Sequence, residues 1–364
     1  IDHAVDDLVK SAFGHAGQKC SAASLAILVG GVADDPRFRR QLMDAVRSLR
    51  IGSPTKSGPN YGPTILAPEG TLTRALEHLD EGESWLVEPK QQGDADSLWS
   101  PGVREGVAPG SWFHQTECFG PVLGLIRAES LEEAIRIQND SDFGLTGGLH
   151  SLDEKEIKTW LDSVEVGNAY VNRGITGAIV RRQPFGGWKG SSVGLGAKAG
   201  GSDYLLQLGR WTSTADLADA PESDRQWHNA HYGIGHDPSA LFCERNELRY
   251  LPHPTVVIRA SADADPAAVR RAVAAAERVN TSTTVSDATT ESDDDFIARL
   301  INLRWGRIRM IGYASDSLRL AAVEHDVHII DEPVTASGRL ELRLYLREQA
   351  ISQTLHRFGN VPAT

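Results

Sequence analysis

The sequence contains few cysteines and no long uncharged apolar run. Its three cysteines, Cys20, Cys118 and Cys243, are an odd number at wide spacing, which argues against a disulfide framework and against a zinc site. No apolar stretch approaches the ~20 residues that a membrane-spanning helix needs. Asp2 and Asp6 also interrupt the region where a secretory signal would be apolar. We therefore expect a cytoplasmic protein with free thiols and no integral membrane contact.

Positive charge is also scarce. The 37 lysines and arginines face 49 aspartates and glutamates, which gives a net charge of −12 over 364 residues. This surplus of negative charge repels nucleic-acid phosphates and anionic lipids, so a small molecule is the expected partner. The length favours two domains with a large core. Because the sequence begins at Ile1, inside an amphipathic helix pattern and without an initiator methionine, we interpret its start as a fragment boundary.

Apolar periodicity predicts strands that alternate with helices in the first 211 residues. Predicted helices cover 2–13, 36–49, 131–138 and 154–161, and predicted strands cover 24–29, 121–126, 147–150 and 169–171. This alternation is typical of an α/β layer with a mainly parallel sheet. Residues 52–63 and the glycine-rich stretch 185–201 are predicted to be loops.

The chain changes character after Trp211. Residues 212–225 are polar and acidic, and we interpret them as a linker. Residues 226–364 then form a second α/β domain, with predicted strands 256–259, 308–313 and 327–330, predicted helices 266–279, 296–303 and 317–324, an acidic loop at 293–295, and a last helix from Gly338 to His356. Since no G-x-G-x-x-G follows its first strand, this Rossmann-like domain lacks a dinucleotide motif.

Cys20 lies in a glycine-flanked turn between the first predicted helix and the first predicted strand. The segment Gly17-Gln18-Lys19-Cys20-Ser21-Ala22 places a lysine directly beside it. A neighbouring cation and exposed backbone N–H groups favour the thiolate, which is the reactive form of cysteine. Most isolated cysteines are nevertheless small buried hydrophobes, so the turn by itself leaves both a nucleophile and a packing residue open.

Three ordered motifs resemble the aldehyde dehydrogenase superfamily. They are Gln18-Lys19-Cys20-Ser21-Ala22, Glu117-Cys118-Phe119-Gly120-Pro121-Val122-Leu123, and Asn172-Arg173 followed by Gln183-Pro184-Phe185-Gly186-Gly187. The resemblance covers residues 1–211 and implies an aldehyde dehydrogenase catalytic domain. It identifies Cys20 as the nucleophile that attacks the aldehyde to give a thiohemiacetal. Hydride then passes to a nicotinamide cofactor, water hydrolyses the remaining thioester, and the Cys20 N–H is the expected donor to the oxyanion.

The same resemblance implies two contacts with the cofactor, NAD or NADP. Glu117 matches the carboxylate that hydrogen-bonds the nicotinamide ribose, and Phe119 matches the aromatic residue that packs near that ribose. The alternatives are a solvated surface glutamate and ordinary core packing. Cys118, between them, is interpreted as a packing residue rather than a second nucleophile.

Within the superfamily, residues 170–180 look most like glutamate γ-semialdehyde dehydrogenases, also called 1-pyrroline-5-carboxylate dehydrogenases. The resemblance implies that Gly177 and Ala178 present backbone N–H groups to the substrate's α-carboxylate, which requires small residues. A plain turn is the alternative for these two residues. The resemblance further implies that Ser21 donates its hydroxyl to this carboxylate and that Lys19 is a nearby cation. Phe185 matches the aromatic wall against the aliphatic part of the substrate.

The second domain resembles the C-terminal extension of long proline utilization A proteins. The segments that carry this resemblance are Asn246-Glu247-Leu248-Arg249-Tyr250-Leu251-Pro252, Gly338-Arg339-Leu340-Glu341 and His356-Arg357-Phe358-Gly359-Asn360. In that family the extension resembles a dinucleotide-binding fold without binding the cofactor, and its tail helps to cover the catalytic site. His325, His328 and His356 are therefore interpreted as structural or surface residues, and no metal site is expected.

Two elements of the family pattern do not occur in this sequence. The general-base glutamate, in a Glu-x-Gly-Gly-Lys segment, and the asparagine oxyanion donor both precede the nucleophile in the family, as does the cofactor-binding half. We therefore expect the 364-residue chain alone to be inactive, with the missing half as its partner and a homo-oligomer as its assembly. A dehydrogenase for another semialdehyde, such as succinate semialdehyde, and a non-catalytic scaffold subunit remain as alternatives.

Overall fold

The computed structural model describes residues 1–355, which divide into two compact units. The first unit contains residues 1–178 together with the residues from 352 onward, and the second contains residues 179–351. Both units combine strands and helices, which confirms the predicted α/β class. No helix in this described part of the chain is long and apolar enough to cross a membrane.

The first unit is organised around a four-stranded sheet. Its helices are α1 (Asp2–Phe13), α2 (Pro36–Arg47), α3 (Thr71–Glu77), α4 (Trp112–Gln115), α5 (Leu131–Asn139) and α6 (Glu154–Ser163). Its strands are β1 (Leu25–Val29), β2 (Ser84–Val87), β3 (Gly102–Glu105), β4 (Val122–Ala128), β5 (Phe143–Gly144), β6 (Thr146–Leu149) and β7 (Asn168–Val171). The sheet order is β1-β4-β3-β2, parallel except for the β2–β3 pair at one edge. Strands β6 and β7 form another parallel pair.

Helices α1 and α2 form the support for the turn that carries Cys20. The Asp35 carboxylate caps α2 by accepting from the Arg37 N–H, and proline occupies the first helical position, where its missing N–H is harmless. The apolar faces of the two helices share one core, made of Val5, Val9, Ala12, Phe13, Phe38, Leu42 and Val46. Because burying each large side chain contributes ~1.5–3 kcal/mol, the C-terminal end of α1 is a rigid anchor.

The second unit contains a fully parallel sheet whose strands follow the doubly wound order 2-1-3-4. Its strands are β8 (Trp188–Lys189), β9 (Glu244–Pro252), β10 (Val256–Ala260), β11 (Thr283–Asp287), β12 (Arg307–Ile311), β13 (His328–Ile330) and the part of β14 (Leu346–Thr354) up to Ile351. Its helices are α7 (Ala220–Trp227), α8 (Pro266–Arg278), α9 (Asp293–Ile297), α10 (Asp316–Glu324) and α11 (Gly338–Glu341). The parallel order is β11-β10-β12-β13, and β9 lies beside β14.

The N-terminus of α8 is occupied by carboxylates. In dinucleotide-binding folds this position, after the first strand, holds the pyrophosphate. Here the Asp265 carboxylate accepts from the Ala267 N–H at 2.8 Å, and Asp263 accepts from the Ser261 hydroxyl at 2.7 Å. Two negative charges at this helix end repel a phosphate, which is consistent with the absence of the glycine-rich motif from the sequence.

Two local predictions in the second half of the chain are wrong. The helix predicted from Gly338 to His356 ends after Glu341, continues as a 3₁₀ turn over Leu342–Tyr345, and becomes strand β14. Burial of 346–353 beside β9 outweighs local helix propensity there. The predicted acidic loop 293–295 is the first turn of α9, because Ser292 caps that helix. His356 and the 356–360 segment lie outside the described residues.

The predicted linker at 212–225 is partly helical. Residues Leu217–Asp219 form a 3₁₀ turn that leads into α7. Asp224 of α7 forms a buried ion pair with Arg271 of α8 at 2.7 Å, so this segment is packed rather than extended. The compact units divide between residues 178 and 179, and residues 179–211 fold with the second unit. The domain limits at 211 and 225 remain predictions.

Candidate active site

Cys20 is displayed on a tight turn that follows α1. The chain leaves α1 through His15 and Ala16, which both adopt left-handed backbone angles (φ 56° and 54°). The turn around Cys20 is closed by the Ala22 N–H, which donates to the Lys19 carbonyl at 2.9 Å. Cys20 itself is exposed. The turn therefore presents a thiol to solvent from a rigidly held backbone.

A second turn, residues 117–120, is pressed against the Cys20 turn. Gly17 has a φ of +69°, and a Cβ at this position would overlap the Gly120 carbonyl oxygen. The Gln18 side chain donates from Nε2 to the Phe119 carbonyl at 3.1 Å. Two motifs that are separated by about a hundred residues in the sequence are thus in direct contact.

The side chains of the 117–120 turn alternate between solvent and core. Glu117 is exposed, and Phe119 is 41% exposed with a left-handed backbone (φ 54°). Cys118 points inward, is 8% exposed and packs in the core with residues such as Phe113 and Val122. Burial raises the pKa of the Cys118 thiol to about 11. Cys118 is therefore a packing residue, as predicted, while a carboxylate and an aromatic ring face outward beside the Cys20 turn.

The loop after β7 reaches the same region through Ser11. The Ser11 carbonyl accepts from the Ala23 N–H at 3.1 Å, and its Oγ accepts from the Ile175 N–H at 3.0 Å. One residue of α1 therefore holds both the Cys20 turn and the 172–178 loop. Ser11 was given no role from the sequence, although a serine on the apolar face of a helix is a signal for such a contact.

Gly177 and Ala178 are both exposed at the end of this loop. Gly177 has a φ of +85°, and a Cβ there would meet no atom within 4 Å. Within residues 1–355, neither the Gly177 N–H nor the Ala178 N–H donates to a protein acceptor. Two backbone donors are therefore available to an external anion at a position that favours glycine.

The remaining predicted substrate residues differ in their surroundings. Lys19 is half-buried, whereas Ser21 is buried and its carbonyl accepts from the Thr146 hydroxyl at 3.5 Å. Phe185 belongs to the second unit, where it is half-buried and exchanges two backbone hydrogen bonds of 2.9 Å with Ala199. The substrate roles of these three residues remain predictions.

The described residues contain no group of three or more His, Cys, Asp or Glu side chains that could hold a metal ion. In the second unit, burial lowers the pKa of His328 to about 4, so its imidazole is neutral at pH 7. His325 follows the last residue of α10 and donates its N–H to the Ala321 carbonyl. The half-buried, neutral His328 therefore fits a structural role, whereas the role of the His325 side chain remains a prediction.

The family follows from the match of its model to the first part of the chain. A model of the aldehyde dehydrogenase family matches residues 1–213, more than half of the 364-residue chain. The chain belongs to the aldehyde dehydrogenase family. The matched region contains the Cys20 turn, the 117–120 turn and the 172–178 loop.

Relatives of this aldehyde dehydrogenase chain include two proteins named 1-pyrroline-5-carboxylate dehydrogenase. Those from Geobacillus thermodenitrificans and Bacillus subtilis are 36% and 34% identical to it over 209 residues. Each alignment covers 57% of this chain but only 39% of the relative, so the chain spans about two fifths of its relatives' length.

Solved structures extend the similarity beyond the family match. Proline utilization A from Corynebacterium freiburgense has a TM-score of 0.89 and 46% identity, covering 99% of this chain and 38% of that one. A 1-pyrroline-5-carboxylate dehydrogenase from Thermus with bound NAD has a TM-score of 0.50 and 36% identity, covering 56% of this chain and 39% of that one. Similarity to proline utilization A, predicted from the C-terminal motifs, is therefore confirmed.

The three thiols of this aldehyde dehydrogenase chain should differ in reactivity. We expect iodoacetamide at pH 7.5 to label Cys20 first and Cys118 last, because Cys20 is exposed whereas Cys118 is buried with its pKa raised to about 11. A raised pKa leaves little thiolate at neutral pH, so labelling of Cys118 should increase only as the pH rises towards that value. Peptide mass mapping after limited labelling measures the order, and earlier labelling of Cys118 or Cys243 would contradict it.

Proposed function

We propose that this chain supplies the nucleophile and substrate anchor of an NAD-dependent dehydrogenase that oxidises L-glutamate γ-semialdehyde to L-glutamate in proline catabolism. The observation that carries the proposal is the connection of three loops at the end of α1. The exposed Cys20 turn contacts the 117–120 turn through Gly17, and Ser11 ties it to the loop that ends at Gly177 and Ala178. The similar 1-pyrroline-5-carboxylate dehydrogenases support the choice of substrate.

The outward-facing residues of the 117–120 turn fit the nicotinamide ribose of NAD. The Glu117 carboxylate is exposed and can accept hydrogen bonds from ribose hydroxyls, and the exposed part of the Phe119 ring offers an apolar surface beside it. NAD, when bound, supplies a hydride acceptor. The bound cofactor of the similar Thermus enzyme supports NAD as the choice.

Cys20 performs the covalent chemistry in this proposal. Its thiolate attacks the aldehyde carbon, so that a C–S bond forms and the carbonyl oxygen becomes an alkoxide, to which the Cys20 N–H donates. Hydride then leaves the same carbon for the acceptor that bound NAD would supply, and a thioester remains. Water then adds to the thioester carbon and the C–S bond breaks. This step restores the thiolate, releases two protons to the surrounding water and frees the γ-carboxylate of glutamate.

The Gly177–Ala178 loop positions the substrate. Its two available N–H groups can donate charge-assisted hydrogen bonds to the α-carboxylate, which places the aldehyde at the far end of the molecule. Such an anchor improves both affinity and orientation, because it reduces the freedom of the aldehyde carbon relative to the thiolate.

Substitution of Gly177 tests the anchor. In the intact enzyme, Gly177→Val should lower kcat/KM for glutamate γ-semialdehyde by at least ~10-fold, as expected when hydrogen bonds to a charged group are lost. Activity on propanal, which has no carboxylate, should fall much less. Gly177→Asn is the matched variant. Asparagine also adds bulk but tolerates the positive φ better than valine, so comparing the two variants separates the effect of bulk from that of backbone strain.

Steady-state NADH formation with three aldehydes measures both the anchor and the substrate. Equal losses on glutamate γ-semialdehyde and propanal would assign the loop a structural role only. A wild-type enzyme that prefers succinate semialdehyde to glutamate γ-semialdehyde would contradict the proposed substrate while leaving the Cys20 chemistry intact.

A further inference from the structure

Gln18 makes the side-chain contacts that join the Cys20 turn to its neighbours. Its Nε2 donates to the Phe119 carbonyl at 3.1 Å, and its Oε1 accepts from the Ile65 N–H at 2.7 Å. One amide group thus links the nucleophile turn, the 117–120 turn and the loop at residue 65. The amide is suited to this double contact because it offers a donor and an acceptor at once.

The Phe119 backbone needs such support. Its φ of 54° lies in the left-handed region, which is unfavourable for an aromatic residue and persists only where the surroundings hold it. On the following residue, a Cβ at Gly120 would overlap the Leu72 side chain, so that side is already closely packed. The hydrogen bond from Gln18 restrains the Phe119 carbonyl and thereby the direction in which the Phe119 ring points.

The Cys20 turn, by contrast, has restraints that do not involve the Gln18 side chain. The Ala22 N–H donates to Lys19 and the Ala23 N–H donates to Ser11, both through backbone carbonyls. Changing the side chain at position 18 therefore leaves these bonds in place. A change at position 18 can therefore disturb the 117–120 turn without disturbing the Cys20 turn. NAD affinity should then change while the reactivity of Cys20 does not.

We propose that Gln18 is a positioning residue that orients the Phe119 turn for binding of the nicotinamide ribose, and that the Gln18 Nε2–Phe119 carbonyl hydrogen bond carries this effect. The inference rests on the proposed function, since it requires that Phe119 and Glu117 contact the cofactor. Gln18 acts through the Phe119 turn and takes no part in the bond changes at Cys20.

Two variants separate the two hydrogen bonds. Gln18→Glu keeps an oxygen that can accept from the Ile65 N–H but replaces the donor to Phe119 with a second acceptor, whereas Gln18→Met removes both bonds at similar volume. Gln92→Glu is the matched control, because the Gln92 amide also donates to a backbone carbonyl, that of Lys90, at 3.2 Å. All three variants are made in the intact enzyme.

The measurements are the NAD dissociation constant by quenching of tryptophan fluorescence, the rate of Cys20 alkylation without cofactor, the KM for the aldehyde, and the melting temperature. Gln18→Glu and Gln18→Met should each weaken NAD binding about 3- to 10-fold, the effect of one net hydrogen bond. The Cys20 alkylation rate and the aldehyde KM should stay within about 2-fold of wild type. Gln92→Glu should bind NAD like the wild type.

Three results would overturn the inference. Unchanged NAD affinity in both Gln18 variants would show that the contact does not position the Phe119 turn. Normal NAD affinity in Gln18→Glu together with weakened NAD affinity in Gln18→Met would assign the effect to the hydrogen bond from the Ile65 N–H. Parallel changes in NAD affinity, alkylation rate and melting temperature would indicate a general structural role. Failure of the proposed function is recognised separately, because the wild-type enzyme would then not bind NAD or oxidise the aldehyde.

Discussion

Replacing Cys20 with serine should reduce aldehyde oxidation by the intact enzyme at least ~10³-fold, the scale on which enzymes lose activity when their nucleophile is removed. A serine hydroxyl has nearly the same size as the thiol and keeps the turn, but it is almost entirely protonated at neutral pH and is a much weaker nucleophile. The neighbouring Lys19 does not compensate, because its charge cannot bring a hydroxyl into the ionised range.

The assay for Cys20→Ser is steady-state NADH formation together with a rapid-mixing search for a burst of NADH. Both should be lost, while the NAD dissociation constant should stay near the wild-type value because Glu117 and Phe119 are unchanged. Cys243→Ser is the control, since Cys243 lies in the second unit and outside the family match. Residual turnover in Cys20→Ser above about a tenth of wild type would assign the chemistry to another residue.

Replacing Gly17 with alanine should cost about 10²-fold in kcat/KM, because small displacements of a catalytic group reduce rates on that scale. The new Cβ would overlap the Gly120 carbonyl oxygen, and the φ of +69° is unfavourable for alanine. Both effects push the Cys20 turn away from the 117–120 turn. The loss should therefore appear in kcat as well as in NAD affinity, unlike the effect expected at Gln18.

Gly14→Ala is the matched control for Gly17→Ala. Gly14 lies three residues earlier with a φ of −55°, and a Cβ there would meet no atom within 4 Å. This variant should retain activity within about 2-fold, as a surface substitution without strain does. Comparable losses in both variants would mean that the segment is generally intolerant of substitution, and a fully active Gly17→Ala would contradict the close contact between the two turns.

Within residues 1–355, local sequence signals predicted the helices of nine or more residues and seven of the fourteen strands. Helix α1 was predicted with the same limits, and the helices after Pro36 and Pro266 and the strands at 122–128 and 256–260 were predicted within a few residues. In these elements the apolar residues repeat with the helix or strand period, and a clear signal marks the start or the end. Interactions between residues close in the sequence are therefore sufficient to predict them. Strands β9 and β14 were missed, because their stability comes from pairing with strands distant in the sequence.

The candidate site was predicted unevenly. Cys20, Glu117, Phe119, Gly177 and Ala178 came from motifs whose residue types carry their chemistry, and their catalytic and binding roles remain predictions. The supporting residues Ser11 and Gln18 were given no role, since their contacts lie 164 and 101 residues away in the chain. A serine or glutamine in a sequence does not indicate which backbone group it will meet.

The sequence by itself determined the class of the fold, the family and the identity of the groups that could react, because these depend on residue type, local periodicity and motif order. Only the tertiary structure decided that the Cys20 turn contacts the 117–120 turn, that Ser11 joins it to the Gly177 loop, that Cys118 is buried with its pKa raised to about 11, and that 346–354 is a strand. Each of these properties arises from groups that are far apart in the chain and become neighbours only when the core forms. The interactions between them are absent from the unfolded chain, so local sequence patterns do not report them.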